Sequence, residues 1–582
     1  MIKISFKYEV LGQVKFGSEL EDILKLKGIM DINSFLNPTV KNTESELLFD
    51  NIEKARDVFV FHINRKSKID IVVDCDLDGY TSAAIIYQEI KEISPDTEIK
   101  YLIHKGKQHG LKEFVDEICF DDSSLVIVPD AGTGDSDECA KIIDSGKDII
   151  ILDHHEIDPE YNAAIVVNNQ LSSKITDKAM TGVGVVYKFI CVLDSYYKTK
   201  HANSYLDLVA VGMIADRADM TNLQSRYYIL EGLKQIGSWA GRNKLIRVLT
   251  EAQMYSMNNK ITVNGIGYYV CPLVNSLIRL GEYEDKCYLF EAIINSDMKL
   301  ERQVRGKGIV EMSIQEYILK SCESSNRKQK KLTQESADVL SEEIEKYHLN
   351  QYPILVCNAR DHVDLNSTGL IANRLADQYQ RPCLLMRVKG NTCKGSARGY
   401  DKCEIQDFNK WCRDTGLFTL VEGHKEAFGV QIPLENTNKL YQLLSTMSKI
   451  DEPTYYVYNV YDISILHDQI IKNVAKYDYI WGNSVDEPIF LIKNVPCNKY
   501  NLNLIGAKQN TIEFTYHNIK FRKQTKGSSL AKLYKDIIST GDSIKFDIIG
   551  RFSIDVKNGK APLVMIEDWM YEKSDTIQGF GV

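Results

Sequence analysis

Between residues 69 and 167 the sequence repeats one unit: a short β-branched apolar run, a few polar residues, then a helical stretch. The runs are Ile69–Val73, Ile99–Ile103, Leu125–Val128, Ile149–Leu152 and Ala164–Val167. Runs this short and this continuously apolar suit strands covered on both faces, as in a parallel sheet between helical layers. Ser82–Ile90 and Asp137–Asp144 carry the amphipathic spacing of covering helices. An α/β fold with a parallel sheet is therefore predicted, its domain spanning residues 51–220.

Three of these runs end in groups that chemistry can use. The first is followed by Asp74-Cys75-Asp76-Leu77-Asp78-Gly79, the third by Pro129-Asp130 and the fourth by Asp153-His154-His155. In an open parallel sheet, functional groups gather beyond the carboxyl ends of the strands, so three strand ends aim at one crevice. Asp216, after the apolar helix predicted from Tyr205, adds a fourth position. A single Asp after a strand is commonly a helix cap or a turn residue. So many carboxylates in one crevice repel one another unless cations sit among them. Mixed Asp and His ligands suit Mn²⁺ or Mg²⁺ better than thiophilic metals. The Asp-x-Asp-x-Asp-Gly spacing also resembles a calcium loop, but Ile85 stands where the bidentate Glu belongs. Two cations ~3.5–4 Å apart activate a water and stabilise a leaving oxygen, the pattern of phosphoester cleavage.

The rest of the chain sorts by texture. Residues 1–50 form an N-terminal segment, and 221–350 read as a mainly helical connector, charged and poor in Pro and Gly past 283. A second, smaller βα pattern occupies 351–450. From 451 to 582, short alternating strands rich in Tyr, Ile, Asn and Lys suggest a small antiparallel OB-like β-barrel. The net charge of −9, taken alone, argues against nucleic acid. The charge is uneven, however: residues 499–560 hold twelve Lys/Arg against five acids, a net +7. Tyr500, Phe514, Tyr516, Phe521, Tyr534, Phe546 and Phe552 are interleaved there, as a single-strand stacking surface or as the core of the barrel.

No apolar run reaches the ~18 residues of a membrane span, and the N-terminus has no basic-then-apolar leader. Thirteen cysteines without a C-x-x-C pair suit a reducing compartment, so a cytoplasmic protein is expected. A phosphate-binding P-loop and a G-x-S-x-G elbow are both missing, and Gly182-Val-Gly184 reads as helix-start packing.

Asp74-Cys-Asp-Leu-Asp-Gly, Asp130, Asp153-His-His and Asp216 resemble the four motifs of the DHH phosphoesterase superfamily. Further stretches resemble its RecJ branch of single-strand-specific 5′→3′ exonucleases. These are Thr181–Lys188, Asn275-Ser-Leu-Ile-Arg279, Gly369–Arg374, Arg381-Pro382, Gly395-Ser-Ala-Arg-Gly399 and Gly423-His424, and the likeness covers roughly residues 20–435. The resemblance implies that Asp74, Asp76, Asp78, Asp130, His154 and Asp216 hold two divalent cations, Mn²⁺ or Mg²⁺, with Asp130 bridging both. It implies that Asp153 orients the histidines and that His155 faces the scissile phosphate, making His155, Asp153 and Asp130 the catalytic set. Asn275, Arg279, Arg374, Gly395, Ser396, Arg398, Gly423 and His424 are implied as substrate contacts. Gly395–Gly399 would offer N–H groups, a hydroxyl and a guanidinium to a phosphate. The sequence departs from the branch at Val363-Asp364 (Trp-His in the branch, with His362 nearby here) and at Glu422-Gly-His424 (Gly-Gly-His). Its basic segment is His104-Lys-Gly-Lys107, then His109-Gly110, without the usual arginine.

The expectation is a monomeric exonuclease that degrades single-stranded DNA, or RNA, 5′→3′ to 5′ mononucleotides, alongside a helicase or a single-strand-binding protein and without a membrane. One rival is a small-substrate member of the superfamily, acting on short oligonucleotides, cyclic dinucleotides or nucleotide 3′-phosphates; the tail past 450 argues against it. The other is a catalytically inactive replication or repair scaffold, and the complete set of acids and histidines argues against that.

Overall fold

The structure, a computed structural model, describes residues 6–156, 162–304, 306–360, 363, 367–447, 452–506, 509–524, 534–535, 544–556 and 559–572. His362 and Asp364, and the basic Lys508, Lys526, Lys532 and Lys557, lie outside the described residues. The chain divides into two compact units. One comprises residues 29–328 and 479–486; the other comprises the chain up to 28, 329–478 and the part from 487 onward. Among the described residues no helix is long and apolar enough to cross a membrane.

In the first unit five strands pair in parallel, in the spatial order Ile99–Ile103, Ile69–Val73, Leu125–Pro129, Asp148–Asp153, Ile165–Asn168. The winding therefore reverses between Ile69–Val73 and Leu125–Pro129, where an open α/β sheet leaves its crevice. The ladder between those two strands stops at Ile71 opposite Ile127, two residues short of both carboxyl ends. Both strands are buried along their whole length, as their unbroken apolar character requires. On one face Val72, Val126, Val128, Ile149 and Ile151 pack against Val115, Ile118, Cys139 and Ile142 of helices Val115–Phe120 and Ser136–Asp144. Helices Leu77–Ile93 and Gly182–Tyr197 cover the other face, and Leu206–Ala215 packs on both of these. Leu206–Ala215, apolar but for Asp207, is buried along nearly its whole length, and it delivers Asp216 at its end.

Past residue 283 the chain is less uniformly helical than its composition suggests. Helix Tyr283–Ile293 is followed by the hairpin Lys299–Val304/Gly308–Ser313 and only then by the long helix Ile314–Lys346. Gly306 and Gly308 both take positive φ, and these left-handed positions turn the hairpin where charged neighbours mask its alternation.

The second unit holds a five-stranded sheet in the order Leu420–His424, Ala427–Pro433, Thr392–Arg398, Cys383–Lys389, Leu355–Asn358. Only the last two strands pair in parallel, and helix Thr368–Tyr379 packs on Cys383–Lys389 and Thr392–Arg398. The strands after 451 form a seven-stranded mixed sheet, not a purely antiparallel one: Val460–Asp462/Ile489–Cys497 and Ile519–Gln524/Ala561–Glu572 are parallel pairs. Phe514, Phe521, Phe546 and Phe552 alternate inward and are buried there, Phe552 stacked on Phe490 at 4.1 Å and Phe514 on Phe521 at 5.2 Å. They are core and offer no stacking surface, whereas Tyr500 is 85% exposed. Several of the bases are neutralised locally, Lys520 and Arg522 by Asp555, Arg522 by Glu513, and Arg551 by Glu567. Strand Lys7–Val10 joins this unit by pairing in parallel with Thr454–Val457, and Phe6 packs with Tyr455, Val457, Leu491 and Ile549.

Candidate metal centre

Each acid is fixed by the element it ends. Asp76 caps helix Leu77–Ile93, its Oδ1 accepting the Gly79 N–H at 3.0 Å. Asp78 reaches across to the start of helix Gly182–Tyr197, where Oδ2 accepts the Gly182 N–H at 2.9 Å and Oδ1 the Val183 N–H at 3.2 Å. Asp130 follows its strand in the left-handed region at φ +68°, held by its N–H on the Leu152 carbonyl at 2.7 Å. Asp74 accepts the Gly110 N–H on Oδ1 at 3.3 Å and meets His109 Nδ1 on Oδ2 at 2.7 Å.

These positions converge. Ligand atoms of Asp74, Asp76 and Asp130 lie within 4.8 Å of one another, as do those of Asp130, His154 and His155, and those of Asp78, His154 and Asp216. Asp130 belongs to the first two groups and His154 to the last two, so the seven residues chain into one continuous cluster. His154 Nε2 stands 3.3 Å from Asp130 Oδ1 and 3.7 Å from Asp216 Oδ2.

The donor set fits divalent cations on two observations. Asp130 Oδ1 is buried and accepts no well-aligned hydrogen bond from the described residues. Burial first, then the neighbouring charges of Asp78, Asp76, Asp74 and Asp216, pushes the Asp130 carboxyl well above the usual range. Asp78 is raised well above it by burial and by Asp216, and Asp76 is raised by burial and by Asp74. Acids that resist ionisation together are those a hard cation relieves, and oxygen with imidazole donors suits Mn²⁺ or Mg²⁺.

Asp153 does a different job. It is fully buried, its Oδ1 accepting the N–H of His154 at 2.7 Å and meeting His155 Nδ1 at 2.7 Å, while Oδ2 accepts the Thr133 N–H at 3.0 Å. Burial works against this carboxylate, but the bond and charge of His155 outweigh it and hold it below its usual range. Burial likewise opposes charge on His155, and Asp153 overrides it, pushing the ring up to about 9. Asp153 thus meets the His155 ring and the 154–155 backbone.

The expected substrate contacts divide between the units. Asn275 and Arg279 share one face of helix Cys271–Leu280 in the parallel-sheet unit. In the other unit Gly395, Ser396 and Arg398 lie in strand Thr392–Arg398, paired on both sides, with Gly395 opposite Met386 and Val430. The Gly-Ser stretch is therefore a central strand and not a turn, and its backbone is committed to the sheet. Ser396 Oγ still meets Thr368 Oγ1 at 2.9 Å, and the Arg398 guanidinium lies over Gly369, at the start of helix Thr368–Tyr379. Arg374 turns instead to Gln334. Gly423, at φ +127°, and the exposed His424 end strand Leu420–His424.

Four supporting residues escaped the sequence reading. His109 holds Asp74, and that bond, with Cys75 beside it, pushes its ring up to about 11. Thr133 holds Asp153, and Asn168 Nδ2 donates to Thr133 Oγ1 at 3.0 Å and to the His155 carbonyl at 3.2 Å. Asn168 ends the fifth strand, so the strand-end rule applied to that run would have found it. Gly182 is the fourth: a Cβ there would lie 2.0 Å from Asp130 Oδ1.

The chain is similar to known proteins in sequence and in fold. Residues 68–213 match the DHH family, N-terminal domain. The chain is 34% identical over 564 residues to YorK of Bacillus subtilis (strain 168), a provisionally named SPbeta prophage-derived single-strand DNA-specific exonuclease, covering 95% of this chain and 96% of that one. It is 24% identical to the single-stranded-DNA-specific exonuclease RecJ of the same organism, over 89% of this chain and 63% of the relative. Among solved structures, RecJ from Thermus thermophilus in complex with Mn²⁺ superposes with a TM-score of 0.71 at 17% identity, over 95% of this chain and 76% of that one. With a parallel sheet whose strand ends carry this acid and histidine cluster, the chain belongs to the DHH family of phosphoesterases, among the RecJ-like single-strand-DNA-specific exonucleases.

Proposed function

We propose that the chain degrades single-stranded DNA from the 5′ end to 5′ mononucleotides, using two divalent cations held by Asp74, Asp76, Asp78, Asp130, His154 and Asp216. The observation that carries this reading is that Asp130 is common to two ligand groups, which is what a bridging carboxylate between two cations requires. Such cations would supply charge stabilisation at the phosphoryl oxygens and an activated water. The chain's own groups do the rest. Asp153 engages His155 Nδ1, which leaves Nε2 as the ring atom to meet a phosphate oxygen. Arg279 supplies a further cation for the phosphate backbone, and Ser396 with Arg398 supports an anion site in the other unit.

The test is digestion of 5′- and 3′-labelled single strands and duplexes with Mn²⁺ or Mg²⁺, with products sized at early times. Mononucleotides released from the 5′ end of single strands alone are expected. An Asp130→Ala protein that digested single strands at the full rate would overturn the assignment.

A further inference from the structure

We propose that a cavity of about 310 Å³ beside Asp216 is a pocket for one nucleobase of the strand, with Tyr268 as its stacking surface. The proposal rests on the nuclease reading and names where that site grips its substrate. The cavity is lined by Ala215 and Arg217, the two sequence neighbours of Asp216, at the end of the helix that delivers that acid. Its volume is at the small end of the ~300–1,000 Å³ of ligand pockets, enough for one ring and its sugar and too little for a dinucleotide.

The wall opposite is one helical face. Tyr268 lies in a π-helical turn, Ile266–Val270, that leads into helix Cys271–Leu280. Such turns are rare and concentrate at functional sites because the wider coil re-aims a side chain. Tyr268 is 72% exposed, a large ring with no packing role, and it lines the cavity. Asn275, seven residues on, lines it too, and its Oδ1 is buried without a hydrogen-bond partner among the described residues. Arg279 lies one further turn along the same face. Arg217 is held at the cavity by Asn483, whose Oδ1 accepts from Nη2 at 3.1 Å and Nε at 3.3 Å.

A planar ring, an unpaired amide and nearby cations are the chemistry of a base with its phosphate. A carboxamide offers both a donor and an acceptor, so it can meet the edge of any base. That suits a nuclease acting without regard to sequence.

The test compares a thymidine strand with one carrying an internal block of abasic residues, each digested by wild type, Tyr268→Ala and Tyr268→Phe. For wild type, KM is expected to be about tenfold higher on the abasic block, with kcat nearly unchanged. Tyr268→Ala should show that higher KM on both strands, whereas Tyr268→Phe should behave as wild type because the ring remains. Thermal melting should be the same for all three proteins, since the side chain is exposed. If wild type and Tyr268→Ala share the same abasic-to-intact KM ratio, the pocket is refuted and the nuclease reading stands. If wild type digests neither strand, it is the nuclease reading that falls.

Discussion

Gly182→Ala tests whether the position of Asp130 matters more than its identity. The added Cβ would lie 2.0 Å from Asp130 Oδ1, 2.5 Å from its Cγ and 2.6 Å from its Cβ. Ordinary contact needs roughly 3.5 Å, so Asp130 or the helix must yield by more than about 1 Å. Asp130 has little freedom to retreat, being fully buried, left-handed in backbone and tied to Leu152. If the helix moves instead, the Gly182 and Val183 N–H groups leave Asp78, and a second acid of the cluster loses its anchor. Either way a carboxylate shifts by about twice the ~0.5 Å tolerance of a working site. A misplacement of ~1 Å costs on the order of 10²-fold in rate. Overpacking should also cost about 1–3 kcal/mol of stability, which leaves a protein of this size folded. The assay is initial-rate digestion of a labelled single strand with saturating Mn²⁺, with Mn²⁺ affinity measured by calorimetry. Gly237→Ala is the control, because its Cβ would meet nothing closer than 3.9 Å. A Gly182→Ala protein within threefold of wild type in both measurements would refute the reasoning.

The other predictions follow from the same contacts. Adding Mn²⁺ to chelator-treated protein should raise the melting temperature by a few degrees, since ligand at 100 times Kd adds ~2.7 kcal/mol; with Asp130→Ala scanning calorimetry should show no such shift. Asp76→Asn should keep its helix cap, because only Oδ1 takes the Gly79 N–H, while Asp78→Asn should lose stability as well as cation affinity, because both oxygens accept N–H groups; melting and Mn²⁺ calorimetry separate the two. Asp70 is buried, and burial, then contact with Asp121, pushes it up to about 7. Its neutral form is therefore favoured by the fold, and wild-type stability should fall as pH rises from about 4 to about 7. Asp70→Asn should lack that loss, so the stability gap between the two, followed by melting, should widen over that window and level off above it, reaching at most about 4 kcal/mol. Parallel melting curves across the whole range would count against it.

The parallel sheet was legible because one signal dominated it. Five unbroken apolar runs admit few arrangements other than strands covered on both faces, and groups just past their carboxyl ends share one edge by construction. That is why Asp74, Asp130 and Asp153 could be placed together from residues 56 and 79 positions apart along the chain. Where two uses of a residue give the same local pattern, the sequence was silent. The phenylalanines between 514 and 552 alternate whether they face a strand of DNA or one another, and only the packing shows them stacked in the core. Gly395-Ser396 has the composition of a turn, yet sits in a central strand, where Gly is needed because a Cβ at 395 would lie 2.0 Å from the Leu385 carbonyl. The hairpin after 299 was hidden by charge, since Lys299, Glu301 and Arg302 read as a solvated helix.

Gly182 shows why the remaining error was of a particular kind. Helix-start packing is correct as far as it goes, because helix Gly182–Tyr197 does begin there. What the local pattern omits is that this helix start is closed by no side chain of its own and is satisfied by Asp78, 104 residues earlier. The fold thus uses the acid cluster twice: Asp76 and Asp78 satisfy helix N-termini, and the same carboxylates crowd round Asp130. A helix N-terminus stabilises an anion that would otherwise be repelled by its neighbours, so the two uses support each other. The cap N–H bonds partly oppose the burial and mutual repulsion that raise these acids, and they hold the carboxylates close together; the closeness is what a cation then exploits. A reading that asks of each Asp whether it is a cap or a ligand poses alternatives that this architecture merges, which is why the cluster was found while the glycine that shapes it was passed over.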